Sequence, residues 1–409
     1  MSAFLLAIAL NLQMLFFNIV SLLGISYAGS ESSPIYMILH LTFALVSILQ
    51  CLYMVLFANK KIKIKNIILL SLPLIVFILS LLTRARYGYS SDRFESALTY
   101  SSLWMTSGIC IGVAISLRGE LEKIIKWLDL FALIITLGTL SSVLSALNTN
   151  IINLGGSTYQ ALSYNAAYAF GINMFFLSGM GKGKTFKLFE MKQFMIIRIF
   201  LSVLLVINIL YSGGRGGFVL LIVYLIFYLG YSLRKDKRKM LKLGFIILVI
   251  GVCMYVVLPN LLEDQFFYRR ITRTFSYIDS GGIDMSQSSG RDKIYTNAIN
   301  SILQKPVFGY GILGTYYALT NYPHNIILEI LLEVGVLYLS MWLVILVFLF
   351  RKYIIILKDQ KNLILFVLII YQFTHLMFSG TFMSSPIFWF IIGYVFSFEH
   401  IKKQETVSI

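Results

Sequence analysis

The sequence predicts an all-α, polytopic integral membrane protein with about twelve membrane-spanning helices. Three observations lead to this fold class: the composition, a series of long apolar segments, and the distribution of basic residues between them. Of the 409 residues, 58% are hydrophobic and only 13% are charged, against about 25% charged residues in soluble domains. A soluble fold of this size has no interior large enough for so much apolar surface, whereas lipid takes the place of that interior in a membrane protein.

Twelve runs of about 18 or more residues with few charges are candidate spanning helices. The first is predicted to be an uncleaved helix rather than a signal peptide, because its apolar stretch is long and no Lys or Arg precedes it. The last two are short, so eleven or thirteen spans also fit. The candidate spans lie near 3–24, 34–57, 66–83, 96–117, 127–147, 160–180, 194–211, 216–233, 241–258, 324–350, 363–379 and 385–398.

Basic residues alternate between the two sides of this predicted bundle. The loops after every second span, together with the C-terminal tail, carry 23 Lys and Arg residues, and the other side carries ten. Cytoplasmic loops carry the Lys and Arg excess, so both termini are predicted to be cytoplasmic. The net charge of +16 is therefore mainly a topology signal, and no nucleic-acid partner is predicted.

One outer loop, residues 259–322, is much longer than the others and divides the chain into three parts. Spans one to nine occupy 1–258, and spans ten to twelve with the tail occupy 323–409. Long loops in compact proteins are usually functional. Within this loop, apolar residues recur at helical spacing over 294–303, which predicts a short amphipathic helix on the outer membrane face.

The turn between spans seven and eight carries Arg215 among four glycines. Glycine lets the backbone turn tightly and lets a ligand come close, and a guanidinium suits a bidentate grip on phosphate. A simple tight turn, with the arginine reaching toward the headgroups, is the alternative. The glycines are Gly213, Gly214, Gly216 and Gly217.

Three further basic or titratable residues follow on the outer side. Arg291 opens the amphipathic helix, where it could equally be a surface cation. Arg270 lies in an aromatic and basic segment that attraction to anionic lipid also explains. His324 follows Pro323, which is favoured at the first helical position, so His324 is predicted in the first turn of span ten. A helix N-terminus favours a neutral imidazole and a bound anion, although a lone histidine is more often structural.

Span ten also contains Asn325 near its start and two carboxylates, Glu329 and Glu333, one turn apart. Carboxylates in a membrane face protein or water. A direct partnership with His324 is geometrically poor, because at 100° per residue they lie about 140° and 180° away from it. An ion pair that locks the bundle is the alternative. No motif for nucleotide binding, metal binding or a nucleophilic serine occurs, so neither a metal nor a cofactor is predicted.

Taken in order, these residues resemble the O-antigen polymerase and O-antigen ligase family. The resemblance covers about 210–335 and is fairly specific as an ordered set, while the first half of the chain contributes only its topology. It rests on the glycine-rich turn 212–217, on Gly290-Arg291-Asp292 followed by Pro306, Gly309 and Gly311, and on Pro323-His324-Asn325 leading to Leu328-Glu329 and Glu333-Val334-Gly335.

The resemblance implies a metal-independent glycosyltransferase with a GT-C-like fold in the bacterial inner membrane. Its donor would be an oligosaccharide on undecaprenyl diphosphate, and the long loop and the active site would face the periplasm. Arg215 and Arg291, with Arg270 as a weaker third, would hold the diphosphate. His324 would act as general base or orient the acceptor hydroxyl, and Gly213, Gly214, Gly216, Gly217, Asn325, Glu329 and Glu333 would support the site.

Polymerase is the preferred activity, because a chain rich in Ile, Lys, Asn, Phe and Tyr suggests the AT-rich genes typical of polysaccharide clusters. Partners would then be the lipid-linked oligosaccharide, membrane lipid and a chain-length regulator protein. An O-antigen ligase acting on the lipid A core is the nearest alternative, and a capsule polymerase is nearly equivalent. A lipid-linked sugar flippase or transporter is less favoured, since charges within spans are few and no internal repeat is seen.

Overall fold

The computed structural model describes most of the chain as helices and short connections. It covers residues 2–25, 34–57, 63–88, 91–149, 151–235, 291–359 and 362–399, with the isolated positions 241, 244–245, 248, 252 and 268. The described α-helices are α1 (Ser2–Leu22), α2 (Pro34–Phe57), α3 (Ile64–Tyr87), α4 (Asp92–Arg118), α5 (Leu121–Thr149), α6 (Tyr159–Leu177), α7 (Lys192–Ser212), α8 (Arg215–Lys235), α9 (Arg291–Gln304), α10 (Thr315–Ala318), α11 (Ile326–Leu357), α12 (Leu363–Phe378) and α13 (Pro386–Ser397).

Seven of the described helices, α1 to α5 with α7 and α8, are long and apolar enough to cross a membrane. The shorter apolar helices α12 and α13 add to them. The predicted class, an all-helical multi-pass membrane protein, is confirmed at this level. Described helices coincide with eleven of the twelve predicted spans, and the ninth, 241–258, falls almost entirely outside the described residues. The count of twelve stays a prediction.

Contacts between helix ends define two ends of the bundle. At the first, which we call the site end, the Lys305 ammonium donates to the Tyr87 hydroxyl at 3.0 Å, just after α9 and at the end of α3. At the opposite end, Lys65 at the start of α3 pairs with Glu399 beyond α13 at 2.9 Å. The helix directions therefore agree with the alternation that the basic loops predict.

Helices α4 and α13 pack closely because glycines face backbone across their interface. A Cβ at Gly108 would lie 2.4 Å from the carbonyl oxygen of Pro386, and one at Gly112 would lie 2.4 Å from that of Phe390. Small residues at such spacing let membrane helices approach closely. This contact fixes the start of α13, and with it the connection from α12 that borders the site.

Helix α11 is broken at Gly335, which has φ 68° and ψ −175° inside the helix. Backbone groups released there pair with the segment after α9: Tyr310 N–H donates to Leu332 O at 2.7 Å, and Val336 N–H donates to Pro306 O at 2.8 Å. Backbone polar groups at membrane depth require partners within the protein. The segment therefore supplies hydrogen-bond partners for the backbone groups at the break. This places Pro306 and the nearby glycines against Gly335, with which they share one ordered motif.

A buried ion pair lies at the opposite end of the bundle from the site. Arg198 of α7 and Asp129 of α5 are joined at 2.5 Å, with side chains 1% and 0% exposed. Arg198 also donates to the Asn173 side-chain oxygen at 3.2 Å, and the Thr185 hydroxyl donates to Asp129. Removing one partner of such a pair strands a buried charge, so this contact locks α5, α6 and α7 together.

Candidate functional site

Arg215 is presented by a tight connection between α7 and α8. Gly213 ends α7 with φ 67°, a left-handed conformation that glycine adopts without steric cost. Arg215 is the first residue of α8 and is half-buried. The predicted tight turn is therefore confirmed, with the guanidinium at the site end of the bundle.

The other three glycines of this turn contact helix α6. A Cβ at Gly216 would lie 1.8 Å from the Tyr164 hydroxyl, and one at Gly217 would lie 2.1 Å from Ser163 Oγ. At Gly214 the nearest atom is Ser163 Cβ, at 2.3 Å. The close neighbour of Gly214, Gly216 and Gly217 is therefore α6, and the approach of a ligand to this turn stays a prediction.

Gly217→Ala is expected to destabilise the protein, because the added methyl also meets the Ser163 carbonyl oxygen at 2.7 Å. Overpacking of this kind costs about 1–3 kcal/mol. The melting temperature of the purified protein in detergent should fall. Gly230→Ala is the matched control, since it lies on the same helix with no atom within 4 Å of the added Cβ. Equal melting temperatures for the two variants would contradict this packing.

His324 lies just before helix α11 and not in its first turn. The helix begins at Ile326, with Asn325 as N-cap whose side-chain oxygen accepts from Ile327 N–H at 3.0 Å and from Leu328 N–H at 3.2 Å. Asn is among the best N-cap residues, which is why the helix starts after His324 and not at Pro323 as predicted. His324 has φ 56°, an uncommon conformation for a residue with a side chain.

Tyr164 of α6 lies among the candidate residues. Its hydroxyl is buried against Gly216, next to Arg215 in the chain, and it has no hydrogen-bond partner among the described residues. The Arg291 guanidinium, at the start of α9, lies within electrostatic range of both Tyr164 and His324. Arg291 and His324 are thus brought together beside Tyr164, and Arg215 is the chain neighbour of Gly216, which packs on the Tyr164 ring. Arg270 lies outside the described residues.

A second histidine, which the sequence analysis missed, adjoins this group. His375, near the end of α12, packs edge-on against Tyr164 with ring centroids 4.5 Å apart and stacks on Tyr371 at 5.8 Å. It is within electrostatic range of His324. The sequence does contain a signal for this residue. His375 is one of only four histidines and lies in a mainly apolar span, and ionisable residues within membrane spans mark functional sites.

Glu329 and Glu333 hold the connections around the site in place. Both are buried, at 1% and 0% exposure. Glu329 accepts hydrogen bonds from the Thr381 hydroxyl and from Phe382 N–H, and Glu333 accepts one from Leu313 N–H at 3.0 Å. Neither forms an ion pair within the described part of the chain, where hydrogen bonds to connecting segments hold both carboxylates. Neither is bonded to His324.

The environment of His324 keeps its imidazole neutral. Burial, and then the positive charge of Arg291, lower its pKa from 6.5 to about 4. A base of this pKa is unprotonated throughout the physiological range. If His324 takes part in the reaction as a base, the reaction rate is therefore expected to be flat from about pH 8 down to about pH 6, and to fall only as pH approaches 4. A pH–rate profile of the purified protein with an acid limb near 6.5 would contradict this.

A cavity of about 500 Å³ adjoins His375 and reaches the exposed residues Asp92 and Arg93 at the site end. It lies between α1, α4, α12 and the start of α13. No group of three or more His, Cys, Asp or Glu side chains among the described residues is placed to hold a metal ion. The positive charge of Arg291 and the neutral imidazole of His324 are features that suit an anionic ligand.

Comparison with known proteins places this site within a matched region. Residues 200–343 match the family model described as O-antigen ligase, a range that includes Arg215, Arg291, His324 and both glutamates. No curated protein and no solved structure matches the chain. The match agrees with the ordered motifs of the sequence, and in this region the chain is similar to the O-antigen ligase family.

Proposed function

We propose that the protein is an O-antigen polymerase, which joins undecaprenyl-diphosphate-linked repeat units on the periplasmic face of the bacterial inner membrane. The observation that carries the proposal is that Arg291 lies within electrostatic range of a neutral His324 and of Tyr164, against which the turn carrying Arg215 packs through Gly216. Arg291, His324 and this turn lie in the region that matches the family model. Such a site combines positive charge for a leaving diphosphate with a proton acceptor for an attacking hydroxyl.

In this reaction a hydroxyl of the incoming unit attacks the anomeric carbon of the growing chain. A new C–O bond forms there as the C–O bond to the diphosphate breaks, and undecaprenyl diphosphate leaves. Arg215 and Arg291, with Arg270 as a third, stabilise the negative charge that develops on the diphosphate. His324 accepts the proton of the attacking hydroxyl or orients that hydroxyl. The proposal requires no metal and no cofactor.

An apolar groove supports a lipid-linked substrate. It has a volume of about 400 Å³, lies between α11, α12 and α13, and is lined by aliphatic and aromatic side chains with Gln372 as the exception. Gln372 also lines the polar cavity, so this side chain borders both spaces. We propose that a prenyl chain occupies the groove while its sugars remain at the polar end.

The finer topology belongs to the same proposal. It comprises twelve spans in a GT-C-like arrangement divided as 1–258, 259–322 and 323–409, with both termini in the cytoplasm. The site end then faces the periplasm, where lipid-linked units are available after they have been flipped. Most basic loops lie at the opposite end, as the positive-inside rule requires of a cytoplasmic side. A chain-length regulator is a further proposed partner.

O-antigen ligase is the second candidate, favoured by the description of the matched family itself. Deletion of the gene separates the candidates. Loss of a polymerase leaves lipid A core capped by a single repeat unit, which is the result we expect. Loss of a ligase leaves the lipid A core bare, with long chains still on the carrier, and this outcome would overturn the polymerase proposal. The family match lends no support to the flippase alternative, whose loss would strand units in the cytoplasm.

A further inference from the structure

The 500 Å³ cavity beside His375 is deep and has a polar lining that the proposed diphosphate site does not use. Along α4 it is lined from Asp92 to Trp104, a distance of about 18 Å at 1.5 Å per residue. It therefore extends from the site end well into the bundle. Arg215, Arg291 and Tyr164 do not line it.

Amides, hydroxyls and aromatic rings share this lining. Amide side chains inside a membrane bundle face protein partners, water or a ligand. The residues that define its chemistry are Asn11, Gln13, Ser96, Tyr100, Trp104 and Gln372. A sugar ring presents apolar C–H faces together with hydroxyl groups, so it matches aromatic faces set among amides and hydroxyls.

The charges of the lining favour a neutral ligand. Its charged residues are Asp92 and Arg93, of opposite sign and adjacent in the chain, so the lining offers no excess of positive charge for a diphosphate. The side-chain nitrogen of Gln372, which has no partner among the described residues, would in turn be left unpaired by an acyl or prenyl chain. An uncharged glycan, whose hydroxyl groups donate and accept hydrogen bonds, fits both facts.

Part of the lining is fixed before any ligand binds. The Trp104 indole N–H donates to His40 Nδ1 at 2.6 Å, and the Tyr100 and Trp104 rings lie 5.2 Å apart. Gln372 is 3% exposed, and its side-chain nitrogen has no hydrogen-bond partner among the described residues. A buried donor without a partner costs free energy that a ligand oxygen would recover.

We propose that this cavity binds the sugars of the acceptor repeat unit and presents the attacking hydroxyl toward His324 and His375, while Arg215 and Arg291 take the diphosphate of the donor. His375 links the two sites, because it lines the cavity and also contacts Tyr164. This inference rests on the proposed function and adds to it a separate acceptor site. Donor and acceptor therefore bind on opposite sides of the Tyr164–His375 contact.

The test fills the cavity with a bulky side chain and measures the binding of two ligands separately. Both measurements use the purified full-length protein. The probes are the delipidated repeat-unit oligosaccharide of the producing bacterium and undecaprenyl diphosphate in detergent. Ser96 lines the cavity with an exposed side chain, so Ser96→Trp should block it and weaken oligosaccharide binding about tenfold or more. Binding of undecaprenyl diphosphate should stay unchanged, which also shows that the variant is folded.

Two further variants complete the design. Thr99→Trp adds the same bulk one turn along α4 outside the lining and should bind both probes as the wild type does. Gln372→Met keeps the side-chain volume but removes the amide, and it should also weaken oligosaccharide binding. Unchanged oligosaccharide binding in both Ser96→Trp and Gln372→Met, or no binding by the wild type, overturns the acceptor site. Failure of the wild type to bind undecaprenyl diphosphate would instead count against the proposed function.

Discussion

Replacing His324 by asparagine is expected to stop chain extension while the protein stays folded in the membrane. General acid–base catalysis contributes about 10²–10⁴-fold, and the turnover rate should fall by that factor. Asparagine tolerates the left-handed conformation of this position, φ 56°, better than most residues. The substitution therefore removes the imidazole without adding backbone strain. His324→Ala would do both at once, so it could not distinguish the loss of the imidazole from the added strain.

The measurement is the length distribution of surface polysaccharide in a deletion strain that carries the variant gene, followed by turnover of the purified protein. Thr320→Asn is the matched control. Thr320 also has a positive φ, 60°, and is exposed four residues earlier. It should support normal long chains. If His324→Asn does so as well, the imidazole plays no part in the reaction.

The site residues that carry a local sequence signal were predictable, and those that come together only through helix packing were not. Arg215, Arg291 and His324 stand out because each opens a helix or lies just before one, beside turn residues, and such signals are local. Tyr164 and His375 lie far apart in the chain, and only the packing of α6 against α12 joins them. No periodicity in either helix records which other helix it will contact.

The glycine-rich turn also shows that contacts between helices cannot be predicted from local sequence. Its sequence predicts a tight reversal, and Gly213 makes one. The role of Gly216 and Gly217 could not be predicted, because it depends on Ser163 and Tyr164, which occupy another helix. At these positions the close neighbours are Ser163 and Tyr164, and this contact holds the turn that carries Arg215 against helix α6.

Helix boundaries and buried charges show where local rules compete. The amphipathic pattern over 294–303 predicted a helix, and α9 (Arg291–Gln304) forms. At His324, proline at the first helical position competed with asparagine as N-cap, and the cap prevailed. The ion pair of Arg198 with Asp129 was not predictable, because Arg198 lies within a span rather than in a loop and Asp129 lies in a different helix.

Arg291→Lys is expected to reduce chain extension nearly as much as Arg291→Ala, by about 10²–10³-fold. The reason is geometric. A guanidinium makes two parallel hydrogen bonds to a phosphate, whereas an ammonium acts as a point charge on a flexible stem. Because Arg291 lies within electrostatic range of both His324 and Tyr164, lysine would keep the charge but lose the fixed fork between them.

Lys293→Ala provides the control, since Lys293 is an exposed cation two residues along the same helix α9 and should be dispensable. Chain length on gels and binding of undecaprenyl diphosphate by the purified variants measure the effect. If Arg291→Lys made wild-type ladders while Arg291→Ala failed, Arg291 would act only through its charge. If Lys293→Ala failed as badly as Arg291→Ala, α9 would contribute a general basic surface for anionic lipid, and the assignment of Arg291 to the diphosphate would be wrong.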